Sequence, residues 1–387
     1  MQDYITSLAQ TIATVRHKGL IKYHANAKHA EGNALEKYRI VCIGDSITRG
    51  LGSNPDGISV DLDKKSWPSI MANGLNLELQ NSCIAHSFWG NGLLSDNITE
   101  DINSSDSRVT FSGAWAPYKS TFSGGGFAIT TVESKHARAD FIFQPSNIDE
   151  HCETDSLNLY LLNYKGNTPN IQSLDDQPVA LLEKNVFRNI TQLRFIRKAS
   201  SKSGWRVSSL RNQPFSPLII AGIEIYNSGV KYIQIDNMGA SGSILGDWTQ
   251  KISIFAEIAK ILNPNLILIC LTVNDAARRT PKDVYEENFR QLIRSIPPEA
   301  DIIALSGVPV NEESASDSYH RSIIDAAISV AVENNITFLD FRARWVSQKY
   351  QPERNYYFDG VHPSKWGHRD IGNFLSNYIN YYIFHNF

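Results

Sequence analysis

The sequence predicts an α/β protein with a three-layer domain on a mainly parallel sheet, interrupted by a β-sandwich (jelly-roll) insert. Three observations carry this expectation. Short apolar runs near the amino end and through the second half of the chain alternate with helical patterns, as in βαβ units. Residues 86–227 instead show short β-branched and aromatic runs separated by turn residues, with no sustained helical period. Residues 1–37 open with Tyr4, Ile5, Leu8, Ile12 and Val15 at helical spacing. The expected organisation is a helical arm at 1–37, a discontinuous α/β domain at 38–85 and 228–387, and the insert at 86–227.

Taken in order, residues 38–43 form an apolar run long enough for a buried strand and too short for a helix. It ends at Gly44-Asp45-Ser46. Ser66 caps a helix that tolerates Pro68 in its first turn. Leu75, Leu77 and Leu79 alternate with polar neighbours and predict a short strand. Within the insert, strands are expected near residues 108–111, 127–132, 139–143, 157–162, 192–196 and 216–225. Gly124-Gly125-Gly126, Gly166-Asn167 and Ser203-Gly204 mark turns. The α/β pattern then resumes. Strands are expected at 230–235, 266–271, 302–305 and 336–341, and helices at 247–262, 281–296, 314–333 and within 365–383.

A chain of 387 residues, 42% hydrophobic and 20% charged, suits a globular protein of about two domains. A net charge of -3 with scattered Lys and Arg points away from nucleic acid. No apolar stretch approaches a membrane span, and the first residues lack the layout of a secretory signal. Action outside the cell or on a virion stays compatible with the sequence, and oligomeric state is not legible in it. Cys42, Cys83, Cys152 and Cys270 show no paired spacing, so neither a disulfide framework nor a metal site is expected, and no cofactor is called for. His17, His24 and His29 read as surface residues.

The chemistry begins with Ser46, at the end of a buried strand, where open α/β sheets place their reacting groups. Asp359 precedes His362 by three residues in a loop set by Gly360 and Pro363. A serine hydroxyl becomes a nucleophile when a base takes its proton and a third group orients that base. The plainer alternatives are that Asp45 and Ser46 cap a helix, and that His362 is a hydrogen-bonded loop residue or an incidental metal ligand with Asp359.

Gly44-Asp45-Ser46 and Asp359-Gly360-Val361-His362-Pro363 resemble the first and last signature blocks of the SGNH, or GDSL-type, hydrolases. Asn237-Met238-Gly239-Ala240-Ser241-Gly242 and Thr272-Val273-Asn274-Asp275 are similar to the two intermediate blocks, with Thr272 where the family usually has glycine. The resemblance implies a five-stranded parallel sheet between helices and a serine esterase acting through an acyl-enzyme. Ser46 would be the nucleophile, His362 the base and Asp359 its orienting acid. Ser46 and Gly239 would give backbone N–H groups, and Asn274 its side-chain amide, to an oxyanion hole. Gly239 as a turn glycine and Asn274 with Asp275 as helix caps are the structural alternatives.

The insert resembles the carbohydrate-binding jelly rolls found inside some bacterial and phage members of the family. Trp89, Trp115, Tyr118, Trp205 and Phe215 could stack on sugar rings or could be sandwich core. Removal of O-acetyl groups from an acetylated polysaccharide or other glycan is the expected activity, without nucleic-acid or membrane partners. A lipid esterase or thioesterase of the same fold, and a non-catalytic carbohydrate-binding or virion structural protein, are the competing classes.

Overall fold

The computed structural model describes residues 15–17, 37–54, 65–78, 83–89, 108–113, 115–117, 129–131, 139–144, 153–162, 169–209, 218–230, 232–250, 252–311, 316–345 and 355–381. Its elements begin with β1 (Val15–His17), β2 (Lys37–Gly44), α1 (Ser46–Arg49), α2 (Trp67–Glu78) and β3 (Cys83–Trp89). Then follow β4 (Val109–Ser112), β5 (Trp115–Pro117), β6 (Ile129–Thr131), β7 (Asp140–Phe143), β8 (Thr154–Leu162), β9 (Asn170–Ser173), β10 (Val179–Val186), β11 (Ile190–Ser201), β12 (Trp205–Ser208) and β13 (Ile219–Tyr226). The remainder is β14 (Tyr232–Gly239), α3 (Leu245–Gln250), α4 (Ile252–Leu262), β15 (Leu266–Cys270), α5 (Val273–Ala277), α6 (Lys282–Ser295), β16 (Asp301–Leu305), α7 (Asp317–Glu333), β17 (Thr337–Leu339), α8 (Phe341–Trp345) and α9 (Lys365–Ile379).

Strands β17, β16, β15, β2 and β14 form, in that order, a five-stranded parallel sheet. β2 and β15 lie inside it, which is why β15 and residues 40–43 of β2 read as apolar runs. Their side chains alternate between two cores. Val41, Ile43, Ile267 and Ile269 pack with Trp248, Phe255, Phe289 and Ile323 from α3, α4, α6 and α7. Ile40, Cys42, Leu266 and Leu268 pack with Trp67, Met71, Trp345 and Leu375 from α2, α8 and α9. This is the three-layer arrangement the alternation of patterns requires.

Two elements depart from expectation. Residues 75–78, within the strand expected at 75–79, are helical: α2 runs through Glu78, because Trp67, Met71 and Leu75 recur every four residues and share one buried face. Val15 was expected on an arm helix, but it lies in β1, which pairs antiparallel with β17 and covers that sheet edge. The rest of the arm lies outside the described residues.

The middle of the chain forms two antiparallel sheets. β4, β7, β12 and β9 make one; β13, β8, β11 and β10 make the core of the other, with β5 and β6 joined to β13. Phe141, Phe143, Trp205 and Val207 of the first meet Leu157, Leu159, Leu193 and Ile223 of the second in a shared core. This is a β sandwich. It is fused to the parallel sheet through β3, whose first half pairs in parallel with β14 and whose second half pairs antiparallel with β13. The expected domain boundary at 85/86 therefore falls inside one strand.

At this seam Arg39 of β2 is buried beside Glu224 of β13 and Asp236 of β14. Its guanidinium donates to Glu224 and, at 2.9 Å, to Gln234 Oε1. Asn158 Nδ2 and the Tyr160 hydroxyl of β8 donate to the other oxygen of Glu224. Trp89 Nε1 donates to Asp236 Oδ1 at 3.1 Å. Among the described residues, no helix is long and apolar enough to cross a membrane.

Candidate active site

Ser46 is presented by a turn that admits little variation. β2 ends at Gly44, where a Cβ atom would sit 2.0 Å from Thr48 Oγ1. Asp45 caps α1 by accepting the Ile47 N–H at 2.9 Å, and Gly50 ends that helix in the left-handed region. Asp45 therefore does the capping, and Ser46 opens the helix with its hydroxyl engaged elsewhere.

Ser46 Oγ lies 2.9 Å from His362 Nε2, and His362 Nδ1 lies 2.8 Å from Asp359 Oδ2. A carboxylate can only accept, so Nδ1 carries the proton and Nε2 presents a lone pair to the serine hydroxyl. Asp359 Oδ1 also accepts the backbone N–H groups of Val361 and His362, both at 2.6 Å. Partial burial pushes this carboxyl up, but the bonds from His362 and Val361 outweigh that and hold it below the ordinary aspartate range. The three residues named from the sequence are thus brought together across more than 300 positions of chain.

Two contacts lock the serine turn to the histidine loop. His368, buried in α9, donates Nε2–H to the Leu51 carbonyl at 3.0 Å. Gly52 (φ +85°) lies so close to Pro363 that a Cβ would meet its carbonyl oxygen at 2.3 Å. The histidine loop is further fixed by Phe358 N–H to His362 O at 2.9 Å and Asn311 N–H to Gly360 O at 2.8 Å.

The loop after β14 and the start of α5 converge on the same turn. Gly239 pairs with Gly44, the Ala240 N–H donates to the Gly44 carbonyl at 2.8 Å, and Ser243 Oγ reaches the same oxygen at 3.3 Å. Asn274 Nδ2 donates to Ser243 O at 3.0 Å, and Asp275 Oδ2 accepts the Leu245 N–H at 2.9 Å. Thr272 accepts the Gly307 N–H at 2.8 Å and meets His320 Nε2 at 3.3 Å, so its hydroxyl braces the turn where the family pattern has glycine.

Gly239 does not fit the oxyanion role expected of it. Its N–H donates to Asn237 Oδ1 at 3.0 Å, and a Cβ there would strike Arg49 N at 2.2 Å. It is a close-approach glycine that lets α1 lie on β14. Gly242, three residues on, takes φ +73° in the loop tied down by Asn274. The Ser241-Gly242 pair was visible in the motif, but the bonding state of each N–H was not.

The aromatic residues proposed as a sugar surface are also placed differently. Trp89 is buried and stacks on Tyr160 with ring centroids 5.1 Å apart. Trp115 lies in the sandwich core against Phe111, and Trp205 is fully buried under Arg197. Trp115 and Trp205 are buried between the two sheets, and Trp89 in the core beside the parallel sheet, so none of the three presents a surface ring. Tyr118 and Phe215 lie outside the described residues. Among the described residues no cluster of His, Cys, Asp or Glu could hold a metal ion.

Four buried titratable groups surround the site. Burial pushes the Asp45 carboxyl up to about 6 and that of Asp275 up to about 7, and it pushes the imidazoles of His320 and His368 down to about 4. The histidines add stability that is complete above about pH 6.5 and lost as pH falls toward 4. The carboxyls act oppositely, adding stability that is complete below about pH 3.8 and lost as pH rises through 6 and 7. Asp275→Asn keeps an acceptor for Leu245 but cannot titrate. On acidification from pH 7 to 4 it is expected to lose stability relative to wild type by about 1.4 kcal/mol per pH unit. Urea midpoints measured across that range check this, and parallel curves for the two proteins would refute it.

Residues 224–369 match the model of the GDSL-like Lipase/Acylhydrolase family, a stretch that holds Asn274, Asp359 and His362 and lies beyond Ser46. No curated protein matches the chain. Among solved structures, one described as a peptidoglycan O-acetylesterase in action matches with TM-score 0.65 and 14% identity, over 94% of this chain and 96% of that one. It shares the fold over nearly the whole length. A lipase/acylhydrolase from Enterococcus faecalis matches at TM-score 0.34 and 19% identity, over 38% of this chain and 76% of its own. An acetyl-xylooligosaccharide esterase from Geobacillus Stearmophilus matches at TM-score 0.32 and 21% identity, over 40% and 74%.

Proposed function

We propose that this chain, whose residues 224–369 are of the GDSL-like lipase/acylhydrolase family, is a serine esterase that removes O-acetyl groups from a polysaccharide. The observation that carries the mechanism is the unbroken relay from Ser46 Oγ through His362 to Asp359, at 2.9 and 2.8 Å. Ser46 Oγ attacks the acetyl carbonyl carbon while His362 Nε2 takes its proton. The tetrahedral intermediate collapses, and the departing sugar oxygen receives that proton from Nε2. Water then attacks the acetyl-serine, again deprotonated by Nε2, and acetate leaves as Ser46 regains its proton. Asp359 keeps the imidazole in the required tautomer and stabilises its cationic form.

The oxyanion is held by the Ser46 N–H, the second N–H of the Asn274 amide, and the N–H of Gly242 in place of Gly239. Asn274→Ala is expected to lower kcat by about a hundredfold or more with KM little changed. A matched fall in Asn274→Asp, which keeps the shape but loses the donor, separates this role from packing.

The polysaccharide substrate is supported by the architecture. The sandwich is continuous with the hydrolase sheet, and the structure sharing that whole arrangement is described as a peptidoglycan O-acetylesterase. Acetate release from O-acetylated peptidoglycan and acetylated xylo-oligosaccharides, beside p-nitrophenyl esters from acetyl to octanoyl, tests this. Preference for octanoyl with no release from either glycan would move the reading to a lipid esterase or thioesterase. No turnover of any ester would leave a binding protein.

A further inference from the structure

Among the described residues, the exposed aromatic side chains are Phe358, Trp366 and Tyr381, at 42%, 45% and 57%. Tyr381 follows the carboxyl end of α9, about 20 Å along that helix from the catalytic loop. Trp366 already has Lys365 Nζ 5.0 Å and Arg369 Cζ 5.9 Å from its ring centroid, so cations occupy its π surface. Phe358 differs from both. It directly precedes Asp359, its N–H is bonded to the carbonyl of His362, and its Cβ packs on Gly52 just beyond the serine helix. A Cβ at position 52 would stand 2.9 Å from that of Phe358, so Gly52 makes room for the phenylalanine as well as for Pro363. An exposed leucine or valine on a distant surface needs no explanation. An exposed phenyl ring on the loop carrying both Asp359 and His362, on a residue seated against the loop that leaves Ser46, adjoins the candidate site.

We propose that Phe358 is a substrate-binding residue whose ring stacks on the apolar face of the sugar bearing the acetyl group. This rests on the glycan-esterase reading above and names the residue that gives it specificity. A pyranose presents a face of C–H groups that packs on an aromatic ring, while its hydroxyls stay in water at an exposed site. The site selects for a ring on the alcohol side of the ester and is indifferent to acetyl esters that carry none. It also supplies the sugar contact that the buried Trp89, Trp115 and Trp205 cannot make.

The test compares Phe358→Ala, Phe358→Leu and Phe358→Trp with wild type on three substrates. These are O-acetylated peptidoglycan or acetylated xylo-oligosaccharide (whichever the wild type turns over faster), triacetin and tributyrin. The expected result is a fall of about tenfold or more in kcat/KM on the glycan for the Ala and Leu variants, mainly through KM, with recovery in the Trp variant. The ratio of glycan to triacetin kcat/KM should fall about tenfold in the Ala and Leu variants, whatever change in triacetin turnover they share. An equal fall on all substrates would make Phe358 structural and overturn the inference. So would a fall confined to tributyrin, which would place the ring on the acyl side, or no fall anywhere. A wild type that hydrolyses triacetin but neither glycan would remove the glycan reading itself and this inference with it. A wild type that deacetylates glycan no better than Phe358→Ala would remove only the inference.

Discussion

Ser46→Ala is expected to reduce acetyl-ester hydrolysis by about 10⁴-fold or more, without lowering the melting temperature. In the proposed mechanism the serine hydroxyl supplies the bond-forming oxygen, and its proton goes to His362 Nε2, 2.9 Å away. Because the relay acts as a unit, His362→Ala should cost about as much as Ser46→Ala, and the double variant little more. Asp359→Asn is the more discriminating change. It keeps the size of the side chain but offers His362 Nδ1 an amide, which favours the wrong tautomer and should cost on the order of 10⁴ in kcat. Asp359 is partly exposed and accepts two backbone N–H groups from its own loop, so the variant should fold. Activity of Asp359→Asn within tenfold of wild type would rule out the assigned relay. Retained acetyl-serine in Ser46 wild-type protein quenched with excess ester, seen by intact mass, would support it from the opposite side.

The largest effect on stability is expected at Arg39, far from the chemistry. Its guanidinium is buried against Glu224, Gln234 and Asp236 at the seam between parallel sheet and sandwich. Burial alone would push its pKa down, but the two carboxylates raise it, and burial pushes Asp236 up in turn. Arg39→Met leaves those carboxyls in a dry interior without their cation. The expected cost is roughly 3 to 5 kcal/mol, read as a shift of the urea midpoint. Arg39→Met with Glu224→Gln should recover part of the loss, because it removes one stranded charge. A loss below about 1 kcal/mol for the single change would mean that water reaches the seam. Deleting residues 86–227 would remove Glu224, Asn158 and Tyr160 and leave Arg39 with Gln234 and Asp236 alone. Point substitutions are therefore the better probe of what the sandwich contributes.

The tertiary arrangement explains why some residues were legible and others were not. Ser46, Asp359 and His362 could be named as candidates because each sits in a short local pattern: an apolar strand ending at a serine, and a carboxylate three residues before a histidine. The strands of the parallel sheet were legible for a related reason, since a strand buried on both faces must be apolar along its length. Gly239 and Gly242 look alike in sequence, so the sequence does not show which of the two has its N–H already engaged. What separates them is the Asn237 side chain occupying one N–H, and φ +73° at the other. Residues 75–79 alternate like a strand, yet the spacing that α2 buries is Trp67, Met71 and Leu75.

The tryptophans make the same point. An aromatic residue in a β-rich segment can line a sandwich core or a ligand surface, and its neighbours in sequence do not distinguish the two. Trp205 is decided by Arg197 and the facing sheet, and Trp89 by Tyr160 and Asp236. Phe358, unremarked in its motif, became a candidate only through its exposure and its seat on Gly52.

By itself, then, the sequence determined most strands and helices of the three-layer domain, their alternation and the candidate site residues, because periodicity and turn chemistry act over a few residues. The tertiary structure alone decided which N–H groups are already bonded, which rings are buried, and that Arg39 pins a sandwich to the parallel sheet. Each of those depends on groups separated by tens to hundreds of residues, whose meeting no local pattern encodes.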